Sequence, residues 1–146
     1  MGLRYEIEKI YEFEAAHRLL GMPDGHQCGR IHGHSYKVHI LLSAPNLDDK
    51  GMVVDFGEVS KVVKPLVADL DHRLLLYRED PLIPSFEERK EPYRALPLNP
   101  TAENLARLFW DVLLGVYPPN EDPTEEIRLD AVTVWETRTS FGRVRR

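Results

Sequence analysis

Residues Arg4 to His17 read RYEIEKIYEFEAAH, and the alternation in that stretch decides the fold class. Tyr5, Ile7, Tyr11, Phe13 and Ala15 occupy odd positions, with Glu6, Glu8, Glu12 and Glu14 between them. That period of two is the pattern of a strand with one face in a core and the other in water. His17 falls on the apolar phase. Leu19 to Ile31 carries Gly21, Pro23, Asp24, Gly25 and Gly29, a loop composition. From His34 to Leu42 a second strand is expected, ending near Ala44-Pro45, and the two strands are predicted to pair antiparallel.

Further along, the pattern changes from strand to helix. Asp55-Phe56-Gly57-Glu58 has the form of a capping box, and Val59, Val62, Val63, Leu66, Val67 and Leu70 follow at helical spacing. This predicts a first helix with a kink near Pro65. A second helix is predicted to start at Thr101, to carry the stripe Leu105, Leu108, Phe109, Val112, Leu113 and Val116, and to stop at Pro118-Pro119. A last strand from Ile127 to Glu136 precedes a basic tail. Asp71 to Pro100 holds five prolines and the charged run Glu87 to Glu91, so an irregular connection with at most a hairpin around Leu74 to Tyr77 is expected. A further strand is allowed there or near Gly51 to Phe56. The order β, β, α, α, β reads as α+β, with helices on one face of an antiparallel sheet.

Composition narrows the function classes. With 146 residues the protein has the size of one domain, and 42% hydrophobic with 29% charged residues is ordinary for a globular protein. The net charge of -5 gives no general attraction to phosphate backbones, so no nucleic-acid partner is expected. Cys28 is the sole cysteine, which excludes an intrachain disulfide. No apolar run approaches the ~18 residues of a membrane span, and the N-terminal residues lack a signal pattern, so a cytoplasmic protein with no membrane partner is expected.

The histidines carry the chemistry. His32 and His34 are two apart, so in an extended segment both side chains leave the same face. His17 on the neighbouring strand can supply a third imidazole, a set that suits zinc and leaves one position open. His26 and His39 read as solvated or structural. Cys28, four residues before His32, is either a fourth ligand closing a structural site or a thiolate acting as base or nucleophile. Asp71-His72 could be an oriented acid–base pair or a solvated helix end. Glu136 could accept two parallel hydrogen bonds from a guanidine-like edge, or simply be a solvated strand end.

Five motifs together resemble the 6-pyruvoyltetrahydropterin synthase and 6-carboxytetrahydropterin synthase family. They are Phe13-Glu14-Ala15-Ala16-His17, Cys28-Gly29-Arg30-Ile31-His32-Gly33-His34, Leu70-Asp71-His72, Pro100-Thr101-Ala102-Glu103-Asn104 and Trp135-Glu136-Thr137. The resemblance implies a single tunnelling-fold domain over 1–146. In that fold an antiparallel sheet with two helices on one face trimerises into a barrel, and two trimers stack as a homohexamer with active sites between subunits. It implies zinc on His17, His32 and His34, with Cys28 as catalytic base. Asp71 and His72 would come from a neighbouring subunit, and Glu136 would anchor the pterin.

The three-residue spacer between Cys28 and His32 resembles the 6-carboxytetrahydropterin synthases of queuosine and other deazapurine biosynthesis. The implied substrate is 7,8-dihydroneopterin triphosphate. A pyruvoyl product, a dihydroneopterin aldolase-type cleavage and a non-catalytic zinc-stabilised module are the alternatives. The sequence departs from the family in the long segment from Tyr77 to Leu98, and in Leu74-Leu75, where an Asn often follows the Asp-His pair. Arg18, Arg30, Arg94 and the C-terminal arginines are all candidates for the triphosphate.

Overall fold

The computed structural model describes residues 2–117 and 127–146. Strands β1 (Tyr5–His17) and β2 (His32–Ala44) pair antiparallel along their full length, with Tyr5 opposite Ala44 and His17 opposite His32. The alternation in sequence becomes a two-faced hairpin. Tyr11, Phe13 and Ala15 of β1 and Tyr36, Val38, Ile40 and Leu42 of β2 are buried on one face, and Phe13 stacks on Tyr36 with ring centroids 4.8 Å apart.

Two helices cover that face. Helix α1 (Phe56–Leu70) buries Val59, Val63 and Leu70 against it. Asp55 caps α1 by accepting the Gly57 N–H, whereas Glu58 pairs with Lys61, so the cap forms without the reciprocal half of the box. The helix runs through Pro65. A second long helix, numbered α3 because a short helix precedes it, spans Ala102–Leu114 and buries Leu105, Phe109 and Leu113. Each such side chain stabilises the fold by about 1.5–3 kcal/mol relative to exposure. The helix ends at Leu114; the expected stop at Pro118-Pro119 lies outside the described residues.

The sheet is larger than the sequence pattern suggests, and it is mixed rather than antiparallel. Strands β3 (Leu74–Tyr77), β4 (Tyr93–Leu96), β5 (Arg128–Thr137) and β6 (Ser140–Arg145) complete it in the order β4-β3-β1-β2-β5-β6. The β1–β3 and β3–β4 pairings are parallel. Where the sequence predicts an irregular connection with at most a hairpin and allows a further strand, the structure has a strand–helix–strand crossover through α2 (Ile83–Arg89), a third helix, which returns the backbone to the same end of the sheet and so makes the strands parallel. Leu74, Leu75 and Leu76 are all buried, which removes the alternation that marks a strand in sequence.

The basic tail is also a strand. A tight turn at Arg138-Thr139 folds β6 antiparallel onto β5. Gly142 is required there: a Cβ would sit 2.5 Å from the Glu103 nitrogen and 2.7 Å from the Ala102 carbonyl carbon. Its absence lets the first turn of α3 lie directly on the sheet. No helix among the described residues is long and apolar enough to cross a membrane.

Candidate metal centre

Strand register brings three histidines to one end of the core face. His17 stands opposite His32, and His34, opposite Ala15, sits one pleat further along the same face. The three rings meet edge to face with centroids 4.5–5.0 Å apart, and their ligand atoms all lie within 4.8 Å of one another. His17 is 2% exposed.

Backbone carbonyls fix two of the tautomers. His17 Nδ1 donates to the Pro100 carbonyl at 2.7 Å, and His32 Nδ1 donates to the Arg30 carbonyl at 2.6 Å. A carbonyl only accepts, so each ring, when neutral, holds its proton on Nδ1 and presents a bare Nε2 lone pair. Those two Nε2 atoms are 2.9 Å apart. Two lone pairs at that separation repel unless they share a cation. His34 Nε2 is buried with no hydrogen-bond partner, a third nitrogen aimed at no protein group. Burial, opposed by the Pro100 bond and reinforced by His32 and His34, lowers His17 from 6.5 to about 4, so the neutral form that metals need prevails. The set fits a metal ion, and three neutral imidazoles, two with carbonyl-anchored Nδ1 atoms, suit zinc in particular.

Glu136 brings a carboxylate to the cluster. The β2–β5 ladder begins at Lys37 opposite Trp135, and Glu136, the next residue of β5, places its Oε1 3.9 Å from His17 Nε2. Burial, and then Glu103 in the first turn of α3, raise its carboxyl above the usual range. A cleft of about 530 Å³ opens where the ladder ends, lined by Gly33, His34, Ser35, Lys37, Trp135 and Glu136 among others. The Tyr36 hydroxyl, fully buried and without a partner, lies under this region, and burial followed by Glu136 raises its pKa.

The remaining candidates are placed differently. Cys28 sits in a short 3-10 turn (Gln27–Gly29) that His26 caps, His26 Nδ1 accepting the Cys28 N–H at 3.0 Å. Cys28 is half-buried and is not part of the histidine cluster. Asp71 caps the C-terminus of α1. Its Oδ1 accepts the Glu14 N–H at 2.9 Å and its Oδ2 pairs with His72 Nδ1 at 2.8 Å, contacts that hold the Asp71 carboxyl below its ordinary range, the Glu14 N–H foremost. His72 is 77% exposed and takes a left-handed backbone, φ 58°. No contact joins it to Cys28 among the described residues. Arg18 is committed elsewhere, in a two-pronged bridge to the buried Asp80, and Arg94 pairs with Asp69 at 2.6 Å, which removes both from the free cations. His39 points to the opposite face, against Glu8 and Trp135.

The family profile described as 6-pyruvoyl tetrahydropterin synthase matches residues 6–146. The chain belongs to that family. A relative from Aquifex aeolicus named 6-carboxy-5,6,7,8-tetrahydropterin synthase is 31% identical, over 94% of this chain and 96% of the relative. Among solved structures, an uncharacterized protein of Wolinella succinogenes superposes with a TM-score of 0.82 over 99% of both chains at 24% identity. The 6-pyruvoyl tetrahydropterin synthase of Caenorhabditis elegans does so with a TM-score of 0.68 over 99% of this chain and 97% of that one, also at 24% identity. At that identity the structural likeness establishes the shared fold. Within the family frame, Pro100 and Thr101 have a visible physical task, since Thr101 caps α3 through the Asn104 N–H and Pro100 orients His17. Asn99, one residue upstream, escapes the motif as read in sequence; its side chain bonds to the backbone of Leu20, 79 positions away, so only the fold shows it.

Proposed function

We propose that this protein is a zinc-dependent carbon–carbon lyase. It converts 7,8-dihydroneopterin triphosphate and water to 6-carboxy-5,6,7,8-tetrahydropterin, acetaldehyde and triphosphate, feeding queuosine and other deazapurine biosynthesis. The observation that carries the reading is the convergence of three imidazole nitrogens beside Glu136, with His34 and Glu136 also lining a cleft. Relatives named 6-carboxy-5,6,7,8-tetrahydropterin synthase favour this product over the pyruvoyl one. Zinc held by His17, His32 and His34 supplies a Lewis acid for the hydroxyls of the substrate's propyl arm, which acidifies the adjacent C–H bonds.

The protein's own residues do the rest. Glu136, as carboxylate, accepts the paired N–H donors of the pterin 2-amino group and N3, and the buried setting strengthens both bonds. Cys28, as thiolate, takes a carbon-bound proton from the propyl arm, and the Asp71–His72 pair moves protons at the neighbouring oxygen, with the Asp71 carboxylate holding the imidazole in one orientation.

The pair is supplied by a second subunit, in a homohexamer built as a dimer of trimers. His72 N–H donates to the Glu14 carbonyl, whereas the Cys28 carbonyl accepts the Leu19 N–H. Those anchor points lie five residues apart in sequence, and no contact within the protomer joins His72 to Cys28 among the described residues. The test is the product. Incubation with 7,8-dihydroneopterin triphosphate should yield 6-carboxytetrahydropterin by mass spectrometry with one acetaldehyde per turnover. A pyruvoyl pterin with no acetaldehyde would overturn the product assignment.

A further inference from the structure

Asn99 ties together two backbone segments beside the histidine cluster. Its side-chain amide closes a ring with the backbone of Leu20: the Leu20 N–H donates to Asn99 Oδ1 at 2.9 Å, and Asn99 Nδ2 donates to the Leu20 carbonyl at 2.8 Å. Its own carbonyl accepts the Thr101 N–H at 2.8 Å and Asn104 Nδ2 at 2.9 Å. Leu20 lies three residues after His17, and the neighbour of Asn99 is Pro100, whose carbonyl accepts the His17 Nδ1 proton. One amide therefore fixes both the strand end that carries the ligand and the acceptor that turns its ring.

We propose that Asn99 is a positioning residue for the metal site, setting the aim of the His17 Nε2 lone pair through the Pro100 carbonyl. This rests on the metal reading above and deepens it. A carboxamide is suited to the task because it donates and accepts side by side in one plane. A carboxylate in its place keeps the acceptor for the Leu20 N–H and sets a second acceptor against the Leu20 carbonyl. Loss of an outer partner of a metal-ligating histidine ordinarily weakens metal binding about 10–100-fold.

The experiment titrates Zn2+ and Co2+ against a competing chelator in the full-length wild-type, Asn99→Ala and Asn99→Asp proteins. Tyr11→Phe, which loses a bond to Ser60 on α1, serves as a control for a lost hydrogen bond elsewhere. Asn99→Ala is expected to bind either metal about 10–100-fold more weakly, with the Co2+ absorption bands shifted, while Tyr11→Phe binds as wild type. Should Asn99→Ala not fold, Asn99→Asp decides, with weakening in the same range expected. Wild-type affinity in a folded Asn99 variant would overturn the proposal and leave the metal reading standing. A wild-type protein that binds neither ion would overturn both.

Discussion

The histidine cluster and the Asp71–His72 pair are built from the same kinds of side chain and end in opposite conditions. His17 is buried, its ring and that of His32 anchored on backbone carbonyls, and the three ligand nitrogens converge within one protomer. His72 is 77% exposed, held at the surface by a left-handed backbone and the Asp71 carboxylate, and makes no contact with Cys28 among the described residues. The first is a finished site. The second is an open pair at the surface. The difference teaches that the proposed metal site and the proposed proton relay are separable: the first needs only the folded protomer, and the second, on our reading, needs an assembly.

Substitutions should split along that line. His32→Ala is expected to remove zinc and turnover together, since two imidazoles do not complete an open three-ligand site. Cys28→Ala should keep about one zinc per protomer and lose about 10²–10⁴-fold in turnover, the span of a general base. Metal analysis beside steady-state rates reads both, and zinc lost from Cys28→Ala would move the thiol into the coordination sphere. Glu136→Ala should leave zinc in place and weaken pterin binding by about 2–5 kcal/mol, because the paired donors of the ring lose a desolvated charged acceptor. Calorimetry with a pterin ligand measures this, and unchanged affinity would return Glu136 to the role of a strand end.

A smaller effect is expected from pH. His17 is held near 4 and His34 is also lowered by burial, so between pH 6.5 and about 4 the unfolded state binds protons that the metal-free folded state refuses. Stability of the metal-free protein should fall as pH drops through that window. Glu136, raised by burial, opposes the trend at its lower end. Denaturant midpoints measured from pH 7 to 4 test the sign, and a midpoint that rises on acidification would contradict it.

What can be read in the sequence follows the same physics. The β1–β2 hairpin is legible because one face is buried and the other is glutamate-rich, so the period of two survives. Once that hairpin is set, His17, His32 and His34 share a face by parity alone. Strands β3 and β4 are hidden because the buried run Leu74 to Leu76 shows no alternation and α2 is a seven-residue helix with no buried face. Strand β6 is masked by its arginines, which point along the exposed side while Gly142 passes under α3. Pro100 and Asn99 act on residues 79 and more positions away, so no local pattern can announce them. Arg18 reads as a free cation until the fold brings Asp80 to it.

The central claim, a metal site complete within one protomer and a proton relay shared between two, has a direct test. Cys28→Ala and His72→Ala, each inactive alone and each carrying zinc, are unfolded together, refolded as a mixture and assayed. Interfaces that join an intact cysteine on one subunit to an intact histidine on the next should restore a measurable fraction of wild-type turnover. Mixed assemblies that form, hold zinc and stay inactive would contradict the account, as would a wild-type protein that turns over as a monomer.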